Sequence, residues 1–266
     1  KFRGLVKERV KNSLECVKFI QSYTYCTPEA AGQIYRYCLE QEDFSAMPTD
    51  KKLVVEQFKQ EKEYLLFHSM YGRRVNDALS RAYAYIASQL KHRDIEVGIN
   101  DNGFFIAGEA LDANKIIRGI TSSNARKILE EAIEKTDVLK RRFRHCAARS
   151  LMILRNYKGR SKSVGKQQVN SHFLYSAVNE ISRDFPIMRE ARREVLNDLM
   201  DIAKAEDILK KIERKEINFE IIKTPLVSPF GLNLLTQGHA DFIKVEDRVN
   251  FLKRMHELQM KVIEKK

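Results

Sequence analysis

The residues of this sequence that could do chemistry are concentrated in a run of positive charge from Lys140 to Lys166. The run reads KRRFRHCAARSLMILRNYKGRSKSVGK and holds ten Lys or Arg among 27 residues, without one Asp or Glu. The whole chain has 48 Lys plus Arg against 36 Asp plus Glu, and without the ten cations of the run the balance is 38 against 36. The excess charge is therefore local, which is typical of a binding surface for a polyanion such as nucleic acid.

The first half of the run has the period of an amphipathic helix, which we predict from Val138 to Tyr157. Phe143 falls on the apolar side, so we expect it in the core. The arginines on the opposite side are predicted to bind phosphate: Arg141, Arg142, Arg144, Arg149 and Arg155. The alternative is that these cations only solvate a surface or pair with acids elsewhere in the fold.

The second half of the run, rich in Gly and Ser, is predicted to be a flexible basic loop in which backbone amides can approach phosphates. Tyr157, just before this loop, could stack on a base or pack beneath the loop. The amides and hydroxyls that follow, such as Gln168 and Ser171, could bond to the strand or only cap a helix. The cations assigned to the loop and its far end are Lys158, Arg160, Lys162 and Lys166.

A second candidate for phosphate binding is the start of a long helix that we predict from about Arg74 to Leu90. Tyr71, Gly72, Arg73 and Arg74 precede or open this helix, so guanidinium groups would lie beside free N-terminal amides. Arg73 and Arg74 are therefore included in the predicted nucleic-acid site. A solvated helix start remains an equal alternative.

Catalytic and metal sites are not predicted in this chain. Gly159 to Gln167 resembles a nucleotide-binding P-loop but has five residues between its glycines instead of four, and Gln167 stands where Ser or Thr would hold magnesium. His68 lies in an apolar strand and is interpreted as a structural residue. With no metal-ligand spacing and no apolar stretch near 18 residues, we expect no cofactor in this segment, no membrane association and a cytoplasmic location.

The pattern of periods predicts an α+β fold, a predominantly helical bundle with a small antiparallel β-sheet of about five strands. Residues 1–47 are expected to be helical, and residues 48–108 to form two β-hairpins around a long helix. Residues 109–266 would be a helical bundle that contains the basic helix and loop at 140–166. This last segment would also supply one returning strand near 217–222 and a closing helix.

Several segments resemble a known family. RRFRHCAARSLMILRNYKG at Arg141–Gly159 and YLLFHSMYGRRVNDALSRAYAY at Tyr64–Tyr85 are the longest, and SPFGLNLL at Ser228–Leu235 and DRVNFLKRM at Asp247–Met255 agree with them. Together they are similar to the C-terminal accessory, DEAD/H-associated region of large helicase-related (Lhr) proteins, superfamily 2 helicases, with the archaeal branch the closer match.

The resemblance implies a piece of an ATP-dependent helicase that moves 3′ to 5′ on single-stranded DNA or RNA. Two motor domains and a winged-helix domain would precede it and be its partners, and the parent helicase would use ATP and Mg. This chain has no ATP-binding or DEAD/DEAH motif, so it is expected to be non-catalytic and to bind the strand. Some bacterial members of the family have a tryptophan that stacks on the strand. This chain has no Trp, so that role is not transferred to it.

Two other classes of function stay open at this point. The basic face could belong to a protein-interaction module that docks on the helicase motor or on an acidic partner. An independent enzyme, such as a base-excision or nuclease module, would need a catalytic constellation that the sequence does not contain.

Overall fold

The computed structural model describes residues 1–91, 94–154, 156–161, 163–238 and 245–264, and helices make up most of this part of the chain. The helices are α1 (Phe2–Arg9), α2 (Ser13–Thr24), α3 (Pro28–Phe44), α4 (Arg73–Lys91), α5 (Ala113–Arg118), α6 (Ala125–Ile133), α7 (Asp137–Arg149), α8 (Val164–Ile181), α9 (Pro186–Arg193), α10 (Ile202–Glu213), α11 (Pro229–Gly238) and α12 (Val245–Glu264). A π-helical segment, Glu194–Leu199, lies between α9 and α10.

The strands are β1 (Lys52–Lys59), β2 (Glu63–Phe67), β3 (Glu96–Asn100), β4 (Gly103–Gly108), β5 (Asn156–Tyr157), β6 (Arg160–Ser161) and β7 (Asn218–Lys223). Five of them form one sheet in the order β3-β4-β2-β1-β7, which confirms the predicted α+β class. Both predicted hairpins, β1–β2 and β3–β4, are antiparallel, but β7 runs parallel to β1. The sheet is therefore mixed, because the chain reaches β7 through a helical crossover rather than a tight turn.

The sheet is covered on both faces, which explains why its central strands β2 and β4 are nearly continuous apolar runs. Successive side chains of β2 point to opposite faces. Leu65 and Phe67 pack into the larger core with α4 to α10, whereas Leu66 packs with Phe105 and Leu234 of the smaller core beneath α11 and α12. The larger core extends to α7, so the sheet is the rigid base on which the basic helix is mounted.

A buried polar network joins the N-terminal helices to the sheet and to α11. Glu56 Oε1 on β1 lies 3.0 Å from Nε2 of His68, which follows β2, and both side chains are buried. Gln41 of α3 donates to Glu56 Oε1 at 3.3 Å, and the Ser228 backbone N–H donates to Glu56 Oε2 at 3.3 Å. The Phe230 N–H in turn donates to Gln41 Oε1 at 2.9 Å. His68 thus lies just after the strand rather than within it and has a buried carboxylate beside it, and its interpretation as a structural residue stays a prediction.

The basic helix α7 ends at Arg149, so the predicted helix to Tyr157 is wrong in its last two turns. Leu151 adopts a positive φ of 59°, and the Ile153 N–H turns back to bond the Ala147 carbonyl oxygen at 3.1 Å. This reversal buries Ile153 in the larger core. Burial of one apolar side chain outweighs continuation of a helix whose next turns would be solvent-exposed.

The predicted flexible loop is instead a short hairpin of β5 and β6 followed by α8. Its two turn residues, Lys158 and Gly159, both have positive φ, at 50° and 71°. Positive φ at both central residues is the requirement of the tight turn that matches the twist of a hairpin. α8 then begins at Val164, where the Ser163 hydroxyl accepts a hydrogen bond from the Lys166 N–H at 3.5 Å.

Candidate nucleic-acid interface

Helices α7 and α8 lie side by side and are fixed to each other by an aromatic contact. Phe143 is fully buried, as predicted, and its ring meets that of Tyr175 edge-on at 5.2 Å between centroids. The Tyr175 hydroxyl donates to the Glu134 carbonyl oxygen at 2.9 Å, which anchors α8 to the segment before α7. The start of α7 is set by Thr136, whose hydroxyl accepts from the Leu139 N–H at 3.4 Å.

A cleft of about 500 Å³ runs between these helices, and we call it the α7–α8 cleft. The lining residues are Asp137, Lys140, Arg141, Arg144, Gln168, Ser171, His172 and Tyr175. Three cations face one exposed acid, and Lys140 Nζ lies 3.7 Å from Asp137 Oδ1. Within the described ranges no carboxylate pairs with Arg141 or Arg144. Their guanidinium groups are thus available to bind an anion. The planar array of N–H donors in a guanidinium group matches the oxygens of a phosphate.

Two other arginines of α7 are engaged with a buried acid. Glu194 of the π-helical segment is 4% exposed, and its Oε2 lies 3.5 Å from Arg142 Nη1. Arg149 Nη2 pairs with Glu194 Oε1 and also contacts the Cys146 sulfur. The hydrogen bond to Glu194 raises the pKa of Arg149. Arg142 and Arg149 therefore have a structural partner, which was the alternative left open for them, and their contact with phosphate stays a prediction.

Arg73 and Arg74 at the start of α4 also differ in their surroundings. The Arg73 backbone N–H donates to Asp101 Oδ1 at 3.1 Å, so a carboxylate already lies at this helix N-terminus. Arg74 Nη2 donates to the carbonyl oxygens of Asn197 at 2.6 Å and Met200 at 3.3 Å, which closes the end of the π-helical segment. Arg74 therefore has a structural partner, whereas the Arg73 side chain is exposed, and phosphate binding by either residue stays a prediction.

The remaining predicted cations lie around the hairpin. Lys158, Arg160 and Lys166 are exposed. The Tyr157 backbone pairs with Arg160 across the hairpin. Arg155, Lys162 and the side chain of Tyr157 lie outside the described residues, so their roles stay predictions.

Sequence reasoning missed four residues of the cleft: it did not assign Asp137, Lys140 or Tyr175 to the site, and it did not assign His172. His172 faces Arg141 and Arg144 only because α8 packs along α7. The signal that could have found it is its spacing of four residues from Gln168, which places both on one face of the same helix.

The glycines of the basic run are not arranged as a loop that binds the phosphates of a nucleotide. Gly159 closes the hairpin, and Gly165 lies in the first turn of α8, so the two do not belong to one loop after a buried strand. In the described part of the chain, no three His, Cys, Asp or Glu side chains are grouped as metal ligands. No helix among these residues combines the length and the apolar character needed to cross a bilayer.

The sequence and the fold are similar to those of known helicases. The sequence model of the DEAD/H associated family matches residues 47–231. The ATP-dependent helicase Lhr-Core of Methanothermobacter thermautotrophicus is 42% identical over 91% of this chain and 28% of its own length. The protein of the same name from Saccharolobus solfataricus is 38% identical over the full chain and 32% of its own length. The chain thus spans about 30% of the length of these relatives.

Among solved structures, the helicase Lhr of Mycobacterium smegmatis, bound to ssDNA and AMP-PNP, has a similar fold. The TM-score is 0.68 at 25% sequence identity, and the match covers 79% of this chain and 27% of that protein.

Proposed function

We propose that this chain, which belongs to the DEAD/H associated family, holds the phosphate backbone of a single nucleic-acid strand for an Lhr-type ATP-dependent helicase. The observation that carries this proposal is the α7–α8 cleft, where Arg141 and Arg144 converge with Lys140 and have no carboxylate partner among the described residues. The similarity to a helicase bound to ssDNA supports the choice of ligand.

The chemistry of the cleft suits backbone binding without sequence readout. Guanidinium groups bind phosphate oxygens through paired hydrogen bonds, and such contacts position a strand but carry no sequence information. The exposed cations Lys158, Arg160 and Lys166 would extend the same surface along the strand. We therefore expect similar affinity for strands of different sequence.

A surface that guides a moving strand has to keep its shape, and three contacts serve this purpose. Phe143 against Tyr175 fixes α8 on α7, and Arg142 and Arg149 hold α7 on Glu194 of the π-helical segment. We assign these last two arginines a positioning role, and the direct phosphate contacts to Lys140, Arg141 and Arg144.

In this proposal, strand movement is the work of two motor domains and a winged-helix domain elsewhere in the polypeptide. ATP and Mg²⁺ bound by those domains would supply the free energy for movement in the 3′ to 5′ direction. Single-stranded DNA is the first substrate to test, with RNA as the comparison.

The test is the fluorescence anisotropy of labelled single-stranded and duplex DNA and RNA with this chain, measured between about 50 and 200 mM salt. If about five cations contact phosphates, the logarithm of affinity should fall with the logarithm of salt concentration with a slope of roughly −3.5 for a single strand. A folded chain that binds none of these ligands would overturn the proposal and favour a domain that docks on protein.

A further inference from the structure

A second groove lies along α8, on the side away from the α7–α8 cleft, and we call it the α8 outer groove. It has a volume of about 550 Å³. Its lining residues are Met152, Ile153, Leu154, Asn170, Phe173, Leu174 and Ala177. At 100° per residue, positions 170, 173 and 177 face roughly opposite to positions 168, 172 and 175, which line the α7–α8 cleft. Helix α8 thus separates a basic cleft from an apolar groove.

Several apolar side chains of this groove are open to solvent, although Ile153 is buried. Phe173 is 69% exposed and Met152 is 44% exposed, and the neighbouring Leu151 and Val169 are also exposed. A continuous exposed apolar patch on a folded chain marks an interaction site more often than a single exposed residue does. A flat aromatic ring beside a flexible thioether is a suitable surface for another planar apolar group.

The charge around the groove indicates the chemistry of its ligand. No Asp or Glu occurs in the 42 residues between Asp137 and Glu180, which include every residue that lines the groove. Lys166 shares a helical face with Asn170 and Phe173, and Arg160 of the hairpin follows the loop that forms the groove wall. A ligand that is apolar and planar where it enters the groove but anionic around it satisfies both features.

We propose that the α8 outer groove binds unpaired bases of the strand whose phosphates occupy the α7–α8 cleft, with Phe173 as the stacking surface. This inference rests on the proposed function. A strand that crosses α8 places phosphates against the cations on one side and, farther along the strand, bases against Phe173 on the other. Bases paired in a duplex cannot enter the groove, so the groove makes the surface selective for single strands.

The test compares two strands of about 16 nucleotides. One is oligothymidylate, and the other has abasic sites in its central part, so that it keeps its phosphates but lacks bases there. The variants are Phe173→Ala, Phe173→Trp as the conservative replacement, and Ile181→Ala as a control at 74% exposure on the same helix. Because Phe173 is exposed, its replacement leaves the core intact, which circular dichroism would verify.

We expect the unchanged chain to bind oligothymidylate about tenfold more tightly than the abasic strand, since stacking contributes roughly that factor per base. Phe173→Ala should bind both strands alike with an unchanged salt slope, whereas Phe173→Trp and Ile181→Ala should keep the preference. A Phe173→Ala chain that still prefers the strand with bases would overturn the inference.

The failure of this inference is distinguishable from failure of the proposed function. Salt-sensitive binding of both strands with equal affinity by the unchanged chain would overturn base binding in the groove and leave backbone binding in place. Binding of neither strand would overturn both.

Discussion

Arg149 on α7 forms an ion pair with Glu194, whose carboxylate is buried in the π-helical segment between α9 and α10. The pair is asymmetric, because the Arg149 side chain is 59% exposed while that of Glu194 is only 5% exposed. An arginine that the sequence alone assigns to phosphate thus connects two parts of the larger core. Arg142 Nη1 lies 3.5 Å from the other oxygen of the same carboxylate, so two cations of the basic run share one negative charge.

This asymmetry predicts unequal effects of removing either partner. Arg149→Ala should lower the midpoint of urea unfolding more than Glu194→Gln does. Glu194→Gln leaves an exposed Arg149 that water can hydrate, whereas Arg149→Ala leaves a buried carboxylate that water cannot reach and that has only one cation beside it. The double variant should be more stable than Arg149→Ala alone, since it lacks the buried carboxylate that Arg149→Ala leaves with only the Arg142 contact at 3.5 Å. Urea titrations followed by circular dichroism measure all three. If Glu194→Gln is the most damaging change, the pair is not organised as described.

The two arginines that open α4 provide a matched pair. Arg74→Ala should destabilise the fold, because it removes the hydrogen bonds that close the π-helical segment at Asn197 and Met200. Arg73→Ala should be nearly neutral, since the contact seen at Arg73 is made by its backbone N–H. Thermal unfolding of the two variants in the same buffer distinguishes them. Equal midpoints would show that Arg74 does not support the segment.

The Glu56 network predicts a dependence of stability on pH. Burial favours the neutral form of Glu56, but the charge of His68 and hydrogen bonds from His68, Ser228 and Gln41 outweigh this effect and hold its pKa below the usual value. A lowered folded-state pKa stabilises the fold above the unfolded pKa, near about 4.3, and this contribution is lost as pH falls through the folded value.

Glu56→Gln should therefore cost about 3 kcal/mol at neutral pH, since His68 and the other partners lose a buried charge. Its free energy of unfolding should also fall less steeply than that of the unchanged chain below about pH 4.5. Urea titrations at a series of pH values measure both effects. Parallel pH profiles of the two proteins would show that Glu56 is not the group that titrates.

Much of this arrangement follows from local sequence. Thr27 caps α3 and Pro28 is its first residue, and the Ala30 N–H donates to the Thr27 hydroxyl at 3.3 Å. The turn at Asn102 and Gly103 joins β3 to β4, and Phe143 lies in the core. Caps, turn residues and apolar periods are local properties, so they can be predicted without knowledge of the tertiary structure.

The features that were missed depend on contacts between distant segments. The end of α7 is set by the burial of Ile153, and the parallel pairing of β7 by the route of the chain through several helices. The partner of Arg149 lies 45 residues away in sequence. Neither the helical period nor the spacing of residues indicates such a partner. The sequence alone therefore could not separate positioning arginines from those available to bind phosphate.

The measurement that tests the account most directly is the salt dependence of single-strand binding by Arg141→Glu/Arg144→Glu. The control is Lys11→Glu/Lys18→Glu, which makes the same change in net charge on two exposed residues, one in the turn between α1 and α2 and one on α2. Circular dichroism would verify that the cleft variant is folded. We predict that it binds roughly 50-fold or more weakly than the unchanged chain at about 50 mM salt, and that the magnitude of its log-log slope is smaller by about 1.4. The control should keep the slope of the unchanged chain. Equal losses in the two variants, or an unchanged slope in the cleft variant, would contradict phosphate binding in the α7–α8 cleft.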